Sequence, residues 1–270
     1  LFGYVGSGGT IKNVGMIDGY IKGNDYVGGV CGCSDGETIE NCHNTGTVTG
    51  SERVGGVCGW NNGRTIQNCY NTGAVSGIKY VGGVCGSNLQ GTIGACYNTG
   101  TVSGSNEVGG VCGWNVRGTI GACYNTGPVT ATGRIVGGVC GQNIGGTIEN
   151  CYYNEETCGE KIVAIGEASS VSSTVKGLTT KEMTGTGAAK TMFGESNVWC
   201  VKENDHKNDT GEDQYAYYPH FSEVDSKDWP PKIKIYYVTF DANDETESSP
   251  TYEQKFYENI SSQLIRNTFS

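Results

Sequence analysis

One hexapeptide, VGGVCG, recurs five times in the first half of the chain. Its copies begin at Val27, Val54, Val81, Val108 and Val136, so successive copies lie 27 or 28 residues apart. A repeat of this length cannot bury a hydrophobic face by itself, and repeats of this kind fold by stacking on their neighbours. The sequence therefore predicts a stacked, repeating structure over this part of the chain.

The composition of the repeat indicates what kind of stack it forms. Glycine is too frequent for helices, because each glycine costs about 1 kcal/mol relative to alanine inside one. Pieces such as VGGV, TI and TVTG are typical of short strands, which would pair from coil to coil about 4.8 Å apart. We therefore predict a mainly β fold, a β-solenoid with coils of about 27 residues over residues 1–151, in which residues 1–26 are a degenerate N-terminal coil. Four glycines are expected to turn corners with positive φ: Gly46, Gly73, Gly100 and Gly127.

The repeat resembles a known family. The pattern GGVCG-x-N-x-x-G-T-I-x-N-C-Y-N-T-G-x-V-x-G is similar to the GLUG repeat of large bacterial surface and secreted proteins, over about residues 27–152. The usual GGLVG stands here as GGVCG. The resemblance implies an extracellular location, at the bacterial cell surface or secreted, and an adhesin-like or scaffold role. It supplies no catalytic residues.

Residues 152–234 lack the repeat, and we predict that they form a C-terminal α+β cap followed by a linker. The run TTKEM indicates a short helix with Thr180 as its N-cap and Met183 facing inward. The last coil of a solenoid presents an unpaired strand edge, and such edges promote aggregation unless they are covered. The cap is expected to cover it.

Residues 235–270 resemble the opening half of the Listeria–Bacteroides repeat, the internalin-type B repeat. The resemblance rests on YVTFDAN from Tyr237, on Pro250 and Tyr257, and on NTF from Asn267. It implies a partial β-grasp-like module. The family has Gly-Gly after the first asparagine, where this chain has Asp244 and a glutamate, so the turn there is expected to be longer.

Two columns of asparagines recur at the repeat period. A polar binding face is one interpretation, but stacked asparagines can also bond each other's amides one coil away and satisfy a buried corner. We favour the structural interpretation. The columns are Asn44, Asn71, Asn98 and Asn125, and Asn61, Asn88, Asn115 and Asn143.

Aromatic residues recur in two further columns and are the candidate ligand-binding residues. Tyr70, Tyr97 and Tyr124 are regularly spaced, which favours mutual packing between coils. Trp60 and Trp114 alternate with polar residues, so we expect them to be more exposed and better suited to stack on a sugar ring.

Ten of the 13 cysteines form pairs 11 residues apart, one pair in each full repeat. The degenerate first copy lacks both members, with Val5 and Val14 aligned to them, as expected of a bonded pair. An extracellular location favours oxidation, and each short loop would add about 2–3 kcal/mol in the loop-entropy model. We predict disulfides within coils; free thiols packed as small apolar groups and disulfides between stacked coils are the open alternatives. The predicted pairs are Cys31/Cys42, Cys58/Cys69, Cys85/Cys96, Cys112/Cys123 and Cys140/Cys151.

Charge and motifs limit the function classes. The net charge of −10 disfavours a nucleic-acid partner. No stretch approaches the roughly 20 apolar residues of a membrane-spanning helix, so no membrane insertion is expected within this fragment. Catalytic, phosphate-binding and calcium-binding motifs are missing from the sequence, and we expect no enzyme activity, no cofactor and no metal site.

These observations predict an extracellular, non-catalytic bacterial surface protein that acts as an adhesin-like scaffold or binding module. Its expected partner is a host or cell-surface glycan or protein. The alternative is a carbohydrate-binding accessory region of a large secreted enzyme. Exposure of Trp60 and Trp114 on one solvent-facing side would favour that alternative.

Overall fold

The computed structural model describes residues 1–159, 162–169, 173–184, 188–195, 198–200 and 220–221, together with two strands near the C-terminus. Only the backbone is described for Ser173, Cys200, His220 and those two strands. The chain divides into two compact units, Leu1–Ser222 and Glu223–Ser270.

The first unit is a β-solenoid whose coils contribute strands to three parallel sheets. Partners are equivalent residues of neighbouring coils. Val54 pairs with Val27 on one side and with Val81 on the other, and Cys58 pairs in the same way with Cys31 and with the cysteine of the following coil. The predicted fold class, a mainly β solenoid built from the 27-residue repeat, is thereby confirmed.

Sheet 1 carries the VGGVCG segments in two columns of strands, which the strand Val136–Ile144 joins by spanning both. The first column consists of Asp25–Gly28, Glu52–Gly55, Lys79–Gly82 and Asn106–Gly109. The second column consists of Phe2–Val5, Cys31–Ser34, Cys58–Asn62, Cys85–Leu89 and Cys112–Val116.

Sheet 2 also has two columns, which Thr147–Asn154 joins, and sheet 3 has one. The first column of sheet 2 consists of Thr10–Lys12, Thr38–Glu40, Thr65–Gln67, Thr92–Gly94 and Thr119–Gly121. The second consists of Gly15–Met16, His43–Asn44, Tyr70–Asn71, Tyr97–Asn98 and Tyr124–Asn125. Sheet 3 consists of Tyr20–Lys22, Thr47–Thr49, Val75–Ser76, Val102–Gly104 and Val129–Ala131.

Columns of apolar side chains fill the interior of the coils. Burying one such side chain contributes about 1.5–3 kcal/mol relative to leaving it exposed, so stacking supplies the stabilisation that one isolated repeat lacks. The isoleucines of the TI dipeptides are at most 1% exposed in the five full repeats. These residues are Ile39, Ile66, Ile93, Ile120 and Ile148, and the fully buried valines beside the cysteines are Val30, Val57, Val84, Val111 and Val139.

The glycines of the NTG segments are required for a different reason from the predicted one. Gly46, Gly73, Gly100 and Gly127 do not have positive φ. A Cβ on Gly73 would overlap the carbonyl oxygen of Gly46 in the neighbouring coil, and the two later glycines make equivalent contacts. Close approach of the coils therefore excludes a side chain, and the left-handed corners lie elsewhere, for example at Asn41.

The solenoid continues for part of one more coil after the sequence repeat ends. Val163–Ser169 pairs in parallel with Val136–Ile144, and Ser173–Leu178 pairs in parallel with Thr147–Asn154. Both added strands belong to the segment 152–234 that the sequence assigns to a cap. They pair with the strands of the last full repeat, whose edge would otherwise be open.

Two short helices follow, Thr180–Met183 and Ala188–Phe193. The sequence predicts Thr180 as the first N-cap, but the N-cap is Thr179. Its side chain accepts a hydrogen bond from the backbone N–H of Glu182, and the Glu182 carboxylate accepts one from the backbone N–H of Thr179. This capping box needs the extended backbone of Thr179, three residues before the glutamate. Met183 is fully buried, as predicted.

Two antiparallel strand pairs complete the described structure. Trp199–Cys200 pairs with His220–Phe221 in the first unit. In the second unit, Ile235–Phe240 pairs with Tyr252–Tyr257. The remaining residues of the predicted Listeria–Bacteroides-type module lie outside the described part of the chain, and that module stays a prediction.

Candidate functional site

Sheet 1 bends sharply within each VGGVCG segment. A Cβ on Gly28 would overlap the carbonyl oxygen of Cys31, and a Cβ on Gly32 would lie 2.6 Å from the carbonyl oxygen of Tyr26. Only glycine permits such a close approach of two backbone segments. The bend brings the residue before the first valine, such as Tyr26, close to the second residue after the cysteine, such as Trp60 in the next coil. Two columns of surface side chains therefore run side by side.

These two columns contain the tryptophans predicted as ligand candidates. Trp60 lies against Tyr26, with ring centroids 5.5 Å apart, and Trp114 stacks on Tyr80 at 4.6 Å. Both tryptophans are half-buried and lie in one strand column, separated by Ser87. They are therefore two coils apart, or about 10 Å. Both tryptophans therefore lie on the same side of the solenoid, and a tyrosine ring packs against each indole ring.

Cationic side chains lie among these rings. The guanidinium carbon of Arg53 is 5.0 Å from the ring centroid of Tyr26 and 5.4 Å from that of Tyr80, and the Lys79 ammonium is 4.6 Å from the latter. Such cation–π contacts contribute about 0.5–1 kcal/mol each at exposed sites. We call this surface the aromatic–cationic face, and it consists of Tyr26, Arg53, Trp60, Lys79, Tyr80 and Trp114.

Polar atoms beside this face have unused hydrogen-bonding capacity. Ser87 Oγ, Glu107 Oε2 and Trp114 Nε1 are buried and have no hydrogen-bond partner among the described residues. Burial raises the pKa of the Glu107 carboxyl, against the opposing effect of the Lys79 charge. Flat rings therefore lie beside buried polar atoms that have no partner among the described residues.

The tyrosine column lies beneath other side chains. Tyr70 and Tyr97 stack with centroids 5.0 Å apart, and Tyr97 and Tyr124 stack at 5.2 Å, with nearly parallel planes. Phe221 lies 5.3 Å from Tyr97, and Trp199 lies 5.4 Å from Tyr124, which is 1% exposed. These candidate ligand residues therefore form a packed ladder under the segment that follows the solenoid.

Both asparagine columns are buried hydrogen-bonded ladders, so the structural interpretation is confirmed. In each ladder the Nδ2 of one asparagine donates to the Oδ1 of the next at 2.7–2.8 Å. Each Nδ2 also donates to a backbone carbonyl of its own coil at 2.7–3.0 Å. All eight side chains are fully buried, so neither column forms a binding face.

The structure holds the ten repeat cysteines as free, fully buried thiols, and the predicted disulfides within coils are not formed in it. Each sulfur donates to a backbone carbonyl two residues away at 3.1–3.5 Å. Burial raises the pKa of thiols such as Cys96 and Cys140. This arrangement corresponds to the alternative of small apolar groups with a satisfied S–H donor. Oxidation in an extracellular environment stays a prediction.

The register also corrects one alignment in the cysteine argument. Phe2, and not Val5, stands opposite Cys31, because Val5 pairs with Ser34. That alignment is displaced by three residues, because the degenerate copy lacks the GGVCG motif that fixes the register in the other copies. Phe2 is apolar but 44% exposed, so the buried cysteine column begins at Cys31.

Among the described residues, no helix combines the length and apolar character needed to cross a membrane. Within that same part of the chain, His, Cys, Asp and Glu side chains form no group of three or more suited to hold a metal ion.

Comparison with known proteins gives one match. The family model of the GLUG motif matches residues 23–49. That range is one full coil, from the strand Asp25–Gly28 to the strand Thr47–Thr49. Searches of curated proteins and of solved structures find no match.

Proposed function

We propose that this chain is part of an extracellular, non-catalytic bacterial surface protein in which the solenoid serves as an adhesin-like scaffold or binding module. The GLUG match to one coil supports this proposal, and the other copies of the repeat extend the same pattern along the stack. A solenoid of this kind provides a long, rigid side surface that is suited to spacing or binding.

The observation that carries the proposal is that the recurring side chains of the repeat are packed inside the stack or beneath other rings. The isoleucine, valine, cysteine and asparagine columns are buried, and the tyrosine column is packed beneath other aromatic rings. The side chains that recur in all five copies therefore stabilise the stacking of the coils and make the solenoid rigid. The expected partner is a host or cell-surface glycan or protein.

Surface labelling of the producing cells tests the location. An antibody raised against residues 1–222 should stain intact cells or detect the protein in the medium, while an antibody against a cytoplasmic marker stains lysed cells only. Staining that appears only after lysis would refute the proposal.

A carbohydrate-binding accessory region is the second candidate, and the aromatic–cationic face supports it. Trp60 and Trp114 lie on one side, about 10 Å apart, which is comparable to the length of a disaccharide. Aromatic rings can pack against the C–H faces of sugars, and Ser87 and Glu107 lie nearby with unused hydrogen-bonding groups. The predicted partner is then a glycan.

A glycan array compares the native chain with the double variant Trp60→Ala/Trp114→Ala. Glycans that bind to the aromatic–cationic face should be lost in the double variant and retained in Tyr20→Ala, which removes an aromatic side chain that is 65% exposed and lies outside this face. Thermal unfolding of all three proteins controls for loss of folding. Equal glycan binding by the double variant and the native chain would exclude the aromatic–cationic face as the site.

A further inference from the structure

Two middle coils depart from the repeat at a pair of adjacent positions in sheet 2. One strand column holds Glu40 and Gln67 in the earlier coils and Glu149 in the last, but Gly94 and Gly121 in between. The next position holds asparagine in the same three coils and alanine in the two middle ones. The polar pair is thus replaced by Gly-Ala in two consecutive coils.

The fold does not require glycine at these two positions. A Cβ on Gly94 would meet nothing within 4 Å, and a Cβ on Gly121 would meet only the side chain of Glu149, at 3.8 Å. The contrast with Gly73, where a Cβ would overlap backbone, shows that packing leaves room for a side chain here. Glycine inside a strand weakens it and often marks a bulge, a tight bend, or a place where a ligand or another backbone approaches closely.

The two alanines also carry a conformational cost. Ala95 and Ala122 have φ of 47° and 51°, in the left-handed region, where the equivalent Asn68 and Asn150 have 52° and 50°. Asparagine tolerates this region better than alanine does, because its short polar side chain can bond locally. The backbone conformation therefore disfavours alanine at both positions, while Ala95 packs against the cluster that contains Tyr124 and Trp199. Strained positions of this kind are often retained for function.

The result of the replacements is a groove. It is shallow and open to solvent, has a volume of about 440 Å³, and is lined along its length by the two Gly-Ala pairs. Gln67 with Asn68 lies at one end and Glu149 with Asn150 at the other, while Val198 lines the side. The end residues are three coils apart, so the groove is about 14 Å long.

A buried, unpaired donor adjoins the groove. Trp199 is 5% exposed, and its Nε1 has no hydrogen-bond partner among the residues that the structure describes. Its side chain lines a second cavity of about 290 Å³, which shares Ala122 and Asn150 with the groove. Buried indole N–H groups normally find an acceptor, and this one finds none among the described residues.

We propose that this groove binds a short, uncharged oligosaccharide. The ends present amide groups and one carboxylate, the floor presents flat backbone, and Trp199 and Phe193 provide aromatic rings. The Glu149 carboxylate at one end of the groove disfavours an acidic ligand. The floor strands are paired on both sides within sheet 2, which disfavours a peptide added as a strand. The groove is separate from the aromatic–cationic face, so the experiments can refute glycan binding at one site without refuting it at the other.

Filling the groove with the residues that the repeat itself uses provides the test. The variant Gly94→Gln/Ala95→Asn/Gly121→Gln/Ala122→Asn restores the pair seen at Gln67 and Asn68. Full-length native and filled chains are compared on an array of neutral and acidic oligosaccharides, with thermal unfolding measured in parallel. We expect the filled chain to unfold at the same or a higher temperature and to bind neutral oligosaccharides at least roughly tenfold more weakly, since the added side chains occupy the pocket.

Three further proteins sharpen the result. Ser103→Gln adds a similar side chain on sheet 3 and should bind like the native chain. Trp199→Phe keeps a ring but removes the N–H, and should weaken binding of the same glycans. Trp60→Ala/Trp114→Ala should leave them bound, which separates this groove from the other candidate site.

Other outcomes would overturn the proposal. The proposal fails if the native chain binds no neutral oligosaccharide, if the filled chain binds as tightly as the native chain, or if the native chain binds only acidic glycans. Loss of stability in the filled chain would also overturn it, because the small residues would then serve to make room for the segment that packs on the tyrosine ladder.

Discussion

The asparagine ladders permit a quantitative prediction, because the partners of each side chain are known. Asn98 lies in the middle of its ladder and is fully buried. Its Nδ2 donates to the carbonyl oxygen of Gly100 at 2.8 Å and to Asn125 Oδ1 at 2.7 Å, and its Oδ1 accepts from Asn71 Nδ2 at 2.8 Å. Asn98→Ala removes all three hydrogen bonds.

Not every partner is left unsatisfied by this change. Asn125 Oδ1 still accepts from the backbone N–H of Gly127 at 3.2 Å. The carbonyl of Gly100 and one N–H of Asn71 lose their partners in a buried site, at about 1–3 kcal/mol each. We therefore expect Asn98→Ala to lower the free energy of unfolding by roughly 2–6 kcal/mol, a large fraction of the total stability of a domain.

Asn44→Ala is the matched control, because Asn44 begins the same ladder. Its Nδ2 donates to Gly46 and to Asn71, but its Oδ1 has no donor among the described residues. Truncation there removes two bonds and also removes an unpaired buried oxygen. Urea unfolding followed by far-UV circular dichroism should show the smaller loss for this variant, by about 1–3 kcal/mol. Equal losses at the two positions would refute the account of the ladder as a chain of stabilising bonds.

Three further predictions follow from the packing and charge of the solenoid. Gly73→Ala should destabilise the protein severely because its Cβ would overlap the neighbouring coil, whereas Gly94→Ala should be neutral or stabilising, and thermal unfolding compares them. Burial raises the pKa of the Glu107 carboxyl in the folded protein, so this group favours folding below its unfolded pKa, and that stability is lost as pH rises. Glu107→Gln should therefore raise the melting temperature at pH 7 and leave it unchanged in acid. An equal effect at both pH values would contradict this. If the repeat cysteines are thiols, denaturation without a reductant should expose all ten to labelling, whereas disulfides within coils would leave them unlabelled and support the sequence-based expectation.

The repeat made the solenoid and its columns predictable. A fixed period states which residues lie above one another, so Ile39 over Ile66 and Asn44 over Asn71 follow from counting. The apolar or polar character of each column then indicates burial or an amide ladder. Outside the repeat, the predicted helix in TTKEM correctly placed the apolar Met183 on its inner side.

Predictions that depended on backbone geometry inside a coil were less successful. The NTG glycines are explained by coils in close contact and not by positive φ, because the sequence contains no information on the distance between backbones. The bridging of cysteines 11 residues apart also depends on geometry that the spacing does not contain. In this structure each sulfur donates to a nearby carbonyl, and oxidation of the pairs stays a prediction.

The candidate sites show the same division between sequence and structure. The sequence alone determined the stack, the buried ladders and the recurrence of Trp60 and Trp114 in one column, since all of these follow from periodicity and side-chain chemistry. Only the tertiary structure decided which columns remain accessible. The glycine bend sets two columns side by side, and Trp199 and Phe221 pack on the tyrosines from far along the chain. Packing between non-repeating and repeating segments depends on long-range contacts, which a local period does not encode.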